Sequence, residues 1–74
     1  MARVLIDDAL IEKMQKTLDT NDGAAKISEE ALTLLYWAAN EVKSGRAIVS
    51  VDMTGQDKAI HKLAMPALMK LEAA

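Results

Sequence analysis

Cysteine is absent from this 74-residue sequence, and histidine, proline and aromatic residues are scarce. Without cysteine the chain can form neither disulfides nor cysteine-ligated zinc sites, and His61 has no second histidine with which to share a metal ion. The small core therefore has no covalent or metal reinforcement. We expect no metal and no cofactor.

Long hydrophobic runs are also missing. No stretch approaches the roughly 18 apolar residues that a membrane helix needs, and the N-terminus lacks the apolar run and small-residue cleavage site of a secretory signal. We therefore expect a cytoplasmic protein that does not enter a membrane. The formal net charge is −2, whereas a nucleic-acid-binding domain usually has a basic face or a basic overall balance. This charge weighs against DNA as a partner but does not exclude it.

Catalytic motifs are not found either. The sequence has no Gly-rich phosphate loop, nucleophile elbow or histidine–carboxylate set, and so short a chain rarely builds a large pocket alone. The pairs Asp7/Asp8 and Asp52/Asp57 could act in acid–base chemistry only in a pocket that separates their pKa values. Helix capping and turn formation are simpler explanations for them, and a lone His61 is usually a surface residue. We expect no enzymatic activity.

Aliphatic residues dominate what is present. Hydrophobic residues make up 51% of the chain and aromatics only 3%, a mixture rich in good helix formers. A lone domain of this size buries only about 60% of its unfolded surface, so its core is marginal. A second copy of the chain would enlarge that core.

The first segment predicts a short strand and then a helix. Residues 2–6 are partly β-branched and predict a strand, and Asp7 or Asp8 can cap a helix over about 8–19. On this helix a narrow apolar stripe recurs every four residues. It consists of Leu10, Met14 and Leu18, with Ile11 beside them.

The second helix, predicted over about 23–44, is more broadly apolar. Six apolar side chains fall within an arc of about 100° at 3.6 residues per turn, and Leu32, Tyr36 and Trp37 widen this surface on both flanks. Such a helix needs cover on more than one side. The six residues are Ile27, Ala31, Leu34, Leu35, Ala38 and Val42.

The remaining chain predicts a C-terminal extension, 46–74, after a first domain of 1–45. Gly45 lies where a helix needs a left-handed C-cap, and residues 46–52 predict a strand with no obvious partner in its own chain. After the Thr54-Gly55 turn, a helix is predicted over about 57–72, interrupted at Pro66.

The order of these elements resembles the ribbon-helix-helix family of Arc- and MetJ-like DNA-binding proteins. The stretch 29–38 (EEALTLLYWA), followed by 43–46 (KSGR), looks like the family's second helix and exit, where an Ala-Leu pair precedes an aliphatic and aromatic run ending in Lys-x-Gly. The resemblance covers about residues 3–52. It implies a mainly α fold with short β-strands, built as an intertwined ribbon-helix-helix homodimer plus a C-terminal strand and helix.

The resemblance also implies where such a protein would contact DNA. In the family, two N-terminal strands from two chains form a ribbon that enters the major groove, which here makes Arg3 and Leu5 the candidates for base contact. The start of the second helix holds a phosphate, which makes Gly23, Ala24, Ala25 and Lys26 the candidates for that role. The implied dimer core consists of Val4, Ile6, Leu10, Met14, Ile27, Ala31, Leu34, Leu35, Ala38 and Val42.

Two functions remain open. The first is a dimeric transcriptional regulator, or an antitoxin-like repressor whose tail, 52–74, engages a toxin-like partner protein. The second is a homo-oligomeric interaction module of the same fold that does not bind DNA, in which the strand at 46–52 could pair dimers into tetramers. Arg3 is equally well explained as a solvated terminal arginine. Departures from the family pattern favour the second function: Leu5 offers no hydrogen bond to a base, and Asp7, Asp8, Asp22, Glu29 and Glu30 place acidic groups near the expected DNA surface.

Overall fold

The computed structural model describes residues 5–72, which contain three helices and one two-stranded antiparallel sheet. A mainly α fold with short β-strands is confirmed. The chain divides into two compact units, which we call the N-terminal unit (Met1–Thr33) and the C-terminal unit (Leu34–Ala74). The domain boundary at 45/46 stays a prediction. The elements are α1 (Asp8–Leu18), α2 (Ala24–Lys43), β1 (Val49–Ser50), β2 (His61–Lys62) and α3 (Pro66–Glu72).

Helix α1 begins and ends at aspartates. The Asp7 carboxylate accepts a hydrogen bond from the Ala9 amide at 2.9 Å and so caps the N-terminus. At the other end Asp19 adopts the left-handed conformation with φ 53°, which Asp tolerates better than most residues do. Its amide then donates back to Gln15 and Lys16 carbonyls. The helix matches the predicted range 8–19 to within one residue.

Helix α2 ends at the glycine that the sequence indicated. Gly45 has φ 90°, a conformation that costs glycine little. Its amide donates to the Val42 carbonyl and the Arg46 amide donates to the Glu41 carbonyl, both at 3.0 Å, so two of the carbonyls in the last turn of the helix are satisfied. The Arg46 guanidinium also contacts the Glu41 carboxylate at 3.0 Å. These contacts direct the chain out of the helix toward β1.

The predicted N-terminal strand lies mostly outside the described residues. Of residues 2–6, the structure describes only Leu5 and Ile6, and neither belongs to a strand. Arg3 and Val4, one predicted to contact a base and the other to join the dimer core, fall among the residues that are not described. Their roles stay predictions.

The second predicted strand is shorter than expected, and its partner lies in the same chain. The strand predicted over 46–52 is reduced to β1, which pairs antiparallel with β2 so that Val49 lies opposite Lys62 and Ser50 opposite His61. The expectation of no partner within the chain was therefore wrong. The reason is that the segment containing β2 has the apolar spacing of a helix, so the sequence predicts a helix there and not a partner strand.

The first part of the predicted C-terminal helix is not helical. Residues 57–65 contain no helix and include β2. The Asp57 carboxylate accepts from the Ala59 amide at 2.9 Å, a local turn that competes with helix formation. The Leu63 amide then donates to the Ile48 carbonyl at 2.8 Å, which commits the segment to pairing with β1. Only the part that starts at Pro66 is helical, where proline suits the first turn.

The core of the C-terminal unit joins α2 to the tail. Ala38, Val42 and Leu68 form a buried cluster, with Ala38 and Leu68 each only 3% exposed. The tail thus packs on its own chain through α3. Partly buried side chains surround this cluster: Leu35, Ala39, Ile48 and Leu71.

Candidate nucleic-acid interface and association surface

The phosphate-contact candidates lie together at the N-terminus of α2. Gly23 and the first three helical residues are exposed, and the helix makes its first backbone bond from the Ile27 amide to the Gly23 carbonyl at 3.0 Å. The amides of Ala24, Ala25 and Lys26 precede that bond, so they belong to the set that an α-helix leaves without internal partners. An anion placed there would meet donors at the positive end of the helix dipole.

The loop before α2 is held by contacts within the N-terminal unit. The Gln15 side-chain amide donates to the Asp22 carbonyl at 2.9 Å, and the Asp22 amide donates to the Thr20 hydroxyl at 3.1 Å. These bonds orient the loop against α1. Asp22 also brings a carboxylate close to the candidate amides, and its negative charge opposes anion binding.

The charges beside these amides provide little net attraction for phosphate. Lys26 contacts Glu30 one turn later at 4.0 Å, with both side chains more than half exposed. Such a surface pair is weak, and Lys26 can turn to another anion at small cost. The first turn of α2 contains no acidic residue. Lys26 is therefore the cation among the four candidates that could contact a phosphate.

Of the two residues predicted to contact bases, Arg3 and Leu5, the structure describes only Leu5. Leu5 is 103% exposed, so it contacts almost nothing within the chain. Arg3 lies outside the described residues. Asp7 next to them is occupied as the cap of α1, whereas Asp8 is an exposed residue of its first turn. A DNA backbone near this segment would meet both carboxylates.

The predicted dimer-core residues fall into three groups in the single chain. Ile27, Ala38 and Val42 are buried. Met14 and Leu35 are half-buried. The rest of the described set is exposed: Ile6, Leu10, Ala31 and Leu34. The prediction that a second copy covers this set is not tested by a single chain.

Helices α1 and α2 leave large apolar side chains in water. Helix α1 has no buried residue at all. On α2, within the C-terminal unit, Leu34, Tyr36 and Trp37 are exposed, although they lie beside the buried Ala38 in the sequence. A stable soluble fold seldom leaves so much of a helix surface unpaired. The apolar surface of α2 is the strongest association feature in the described residues.

The turn between β1 and β2 contains a polar network that the sequence showed only as turn residues. The Asp52 carboxylate accepts from the Thr54 hydroxyl and the Asp57 amide, each at 2.6 Å, and from the Thr54 amide at 2.8 Å. These hydrogen bonds, the Thr54 hydroxyl first, lower the pKa of Asp52. The Asp-x-Thr-Gly spacing was the signal that could have indicated this network, because the Asp52 carboxylate accepts from the Thr54 amide and the Thr54 hydroxyl accepts from the Gln56 amide, each two residues further along the chain.

Asp57 links the same turn to His61. Its carboxylate lies 3.1 Å from the His61 Nε2, and the bond from the Ala59 amide followed by this one lowers the pKa of Asp57. Both carboxylates are thus held ionised by donors, which is the opposite of what a general acid needs. His61 is exposed and pairs with a residue four positions earlier. Turn formation accounts for Asp52 and Asp57, as the sequence indicated.

Within residues 5–72, no group of three or more potential metal ligands lies close enough to hold an ion. No helix in that part of the chain combines the length and apolarity needed to cross a membrane. Comparisons with models of protein families, with curated proteins and with solved structures found no match to this chain.

Proposed function

We propose that the protein is a homodimeric, ribbon-helix-helix-type transcriptional regulator that binds DNA in the cytoplasm. The observation that carries the proposal is the mismatch between a small core and a large exposed apolar surface on α1 and α2. Among the described residues only four apolar side chains are buried, and none of the large ones is fully enclosed. A second chain that covers α2 removes this mismatch.

The dimer is the first part of the proposal to test. A fold completed by a second chain gains stability as protein concentration rises, because association shifts unfolding by mass action. Thermal unfolding over a hundredfold range of concentration should show a midpoint that increases with concentration. Leu34→Asp should lower the midpoint and remove the concentration dependence, whereas Lys43→Asp serves as a control on the same helix. A wild-type midpoint that is constant over the whole range contradicts the dimer.

DNA binding is supported by the resemblance of α2 and its exit to the family, and by the exposed amides at the start of α2. In this proposal the N-terminal segments of two chains form the ribbon, with Arg3 and Leu5 directed at bases. Gly23 to Lys26 hold a phosphate on each side. The contact of Arg3 with a guanine would contribute about 1–3 kcal/mol of discrimination.

Titration of labelled DNA from immediately upstream of the protein's own gene tests this function. We expect binding that is selective over unrelated DNA and that weakens with salt by a log–log slope of about −0.9 for each phosphate neutralised. Arg3→Ala should remove selectivity, and Lys26→Ala should weaken binding to all sequences about equally. Lys58→Ala, an exposed lysine in the β1–β2 turn, is the matched control. Absence of binding even at low salt, with the dimer intact, would overturn the regulator.

The second candidate is a homo-oligomeric interaction module that does not bind DNA. It is favoured by the net charge of −2 and by the carboxylates of Asp7, Asp8 and Asp22 next to the proposed DNA surface. The fully exposed Leu5 supports it too, because an apolar side chain suits a protein partner better than a base edge. Concentration-dependent melting together with absent or salt-independent DNA binding would select this module.

An antitoxin-like role for the tail is a narrower form of the first candidate. Leu68 and Leu71 pack on the core of their own chain, which leaves Met53, Met65 and Met69 as exposed, adaptable side chains for a partner protein in the segment 52–74. Co-purification of the chain with the product of an adjacent gene, lost on Met69→Asp and retained on Lys58→Asp, is the expected result.

A further inference from the structure

The outer edge of β1 has backbone groups without partners in the described chain. The bond from the Leu63 amide to the Ile48 carbonyl makes Ile48 and Leu63 a hydrogen-bonded pair. In an antiparallel ladder such pairs alternate, so Ser50 and His61 form the next one, and Val49 opposite Lys62 is a pair without hydrogen bonds. The amide and carbonyl of Val49 therefore point away from β2, and an extended continuation by one residue past the end of β1 at Ser50 turns those of Val51 the same way.

Within residues 5–72, this edge lacks the features that normally prevent strand addition. Proteins protect exposed edges with lysine, proline or a covering element. The run Val49-Ser50-Val51 has no charge and no proline, and Val49 and Val51 are 44% and 59% exposed. By contrast, β2 contains Lys62, whose ammonium pairs with the Glu72 carboxylate of α3. The sheet thus has one charged strand and one open strand.

The open edge is complementary to itself. Two antiparallel copies of Val49-Ser50-Val51 can be related by a two-fold axis at Ser50. Val49 of each chain then lies opposite Val51 of the other chain. Each valine directs its amide and its carbonyl toward the partner strand, so each pair of opposed valines can exchange two N–H···O hydrogen bonds. Paired β-branched residues are among the favourable cross-strand contacts of a sheet. An isologous contact of this kind requires one surface that fits itself, and this edge meets that requirement.

We propose that β1 is an interaction surface for a second copy of the chain, forming a four-stranded antiparallel sheet in the order β2, β1, the partner's β1 and the partner's β2. Four backbone hydrogen bonds join the two central strands. Val49, Val51 and Ile60, all exposed in the single chain, extend one apolar strip across the new sheet. The contact is separate from α2, so a dimer formed through α2 becomes a tetramer through β1.

A cysteine placed on the two-fold axis tests the register directly. In the proposed sheet Ser50 and the partner's Ser50 form a pair without hydrogen bonds, with Cα atoms about 4.5 Å apart, which lies within the range of disulfides. The wild-type chain has no cysteine to interfere. Under mild oxidation at micromolar concentration, Ser50→Cys should form a disulfide-linked dimer at least tenfold faster than Val49→Cys. The latter is the matched control, because two such cysteines lie diagonally, about 7–8 Å apart.

The mass of the assembly supplies the second test. Val51→Lys places a charge on the open edge without touching the hydrogen bonds to β2, and Lys58→Ala is the control. In sedimentation equilibrium, the largest species of Val51→Lys should have half the mass of the largest wild-type species. The change is from tetramer to dimer if α2 also associates, and from dimer to monomer if it does not. The result therefore separates this surface from the dimer proposed above.

Two outcomes would overturn the proposal. One is an equal mass for the wild type and Val51→Lys at every concentration, with circular dichroism showing both folded. The other is equal cross-linking rates for Ser50→Cys and Val49→Cys. If Val51→Lys loses its helical signal, the cross-linking comparison alone decides. Both cysteine variants should still fold, because each cysteine replaces an exposed side chain of similar or larger size.

Discussion

The N-terminal and C-terminal units reach their structures by different means. Helix α1 is defined at both ends by aspartates, one as an N-cap and one in the left-handed conformation, yet it buries no residue. The C-terminal unit has a core of its own in Ala38, Val42 and Leu68, although its strands are only two residues long. Local backbone signals can therefore specify a helix whose packing the chain does not supply. Where the chain does supply a packed core, even strands of two residues are maintained.

The largest effect should come from a charge in the C-terminal core. Ala38→Asp buries a carboxylate without a partner, which costs several kcal/mol against a total stability of about 5–15 kcal/mol. We expect loss of cooperative thermal unfolding, measured by circular dichroism at 222 nm. Ala47→Asp, at an exposed alanine, should melt like the wild type. If Ala38→Asp still melted cooperatively at the wild-type temperature, the contrast between the two units would be lost.

A cavity in the same core should have the next largest effect. Leu68→Ala removes a buried side chain that connects α3 to α2, and such changes typically cost about 2–5 kcal/mol. Chemical denaturation should show this loss, whereas Met69→Ala, at a half-exposed position of the same helix, should lose less than about 1 kcal/mol. Equal losses in the two variants would show that α3 does not pack through Leu68.

The cap of α1 should matter less, and only locally. Asp7→Ala removes the acceptor for the Ala9 amide, a change that typically costs about 1 kcal/mol. Amide hydrogen exchange should become faster in the first turn of α1 and remain unchanged in α3. Asp7→Asn keeps a side-chain oxygen and should restore most of the protection. Uniformly faster exchange in both units would mean that they unfold together.

The smallest effect should be the response of the β1–β2 turn to acid. Hydrogen bonds lower the pKa of Asp52 and of Asp57 below 3.8, the ordinary value. Each carboxylate therefore stabilises the turn fully above pH 3.8 and loses that contribution as pH falls through its folded pKa. NMR shifts of the Thr54 and Asp57 amides should move in this range. Asp52→Asn should abolish the Asp52 component, and a wild-type pKa above 3.8 would contradict the network.

The helices could be predicted from the sequence because their signals are local. The apolar spacing of α1 and α2, the cap at Asp7 and the glycine at position 45 each act within a few residues. Residues 57–64 could not be assigned in the same way. Ile60, Leu63 and Ala64 have a spacing compatible with a helix, and only pairing with a strand eleven or more positions earlier makes the segment extended.

The candidate site was predictable to a smaller extent. The sequence indicated that Gly23 to Lys26 begin a helix, and the structure places them, exposed, at the start of α2. It also indicated that Asp52 and Asp57 form turns. It did not show that one carboxylate gathers three donors, because the curvature that brings Asp57 back to Asp52 depends on the whole turn. Base contact by Arg3 and Leu5 stays a prediction, since it depends on a partner chain and on DNA.

Trp37 gives the molecule a built-in optical probe. It is the one tryptophan in the sequence, and the residue is 52% exposed beside the buried Ala38. An indole half in water emits at longer wavelength than one enclosed by protein. The wavelength of its maximum emission therefore depends on whether another chain covers α2. Association can be followed by this wavelength without a label.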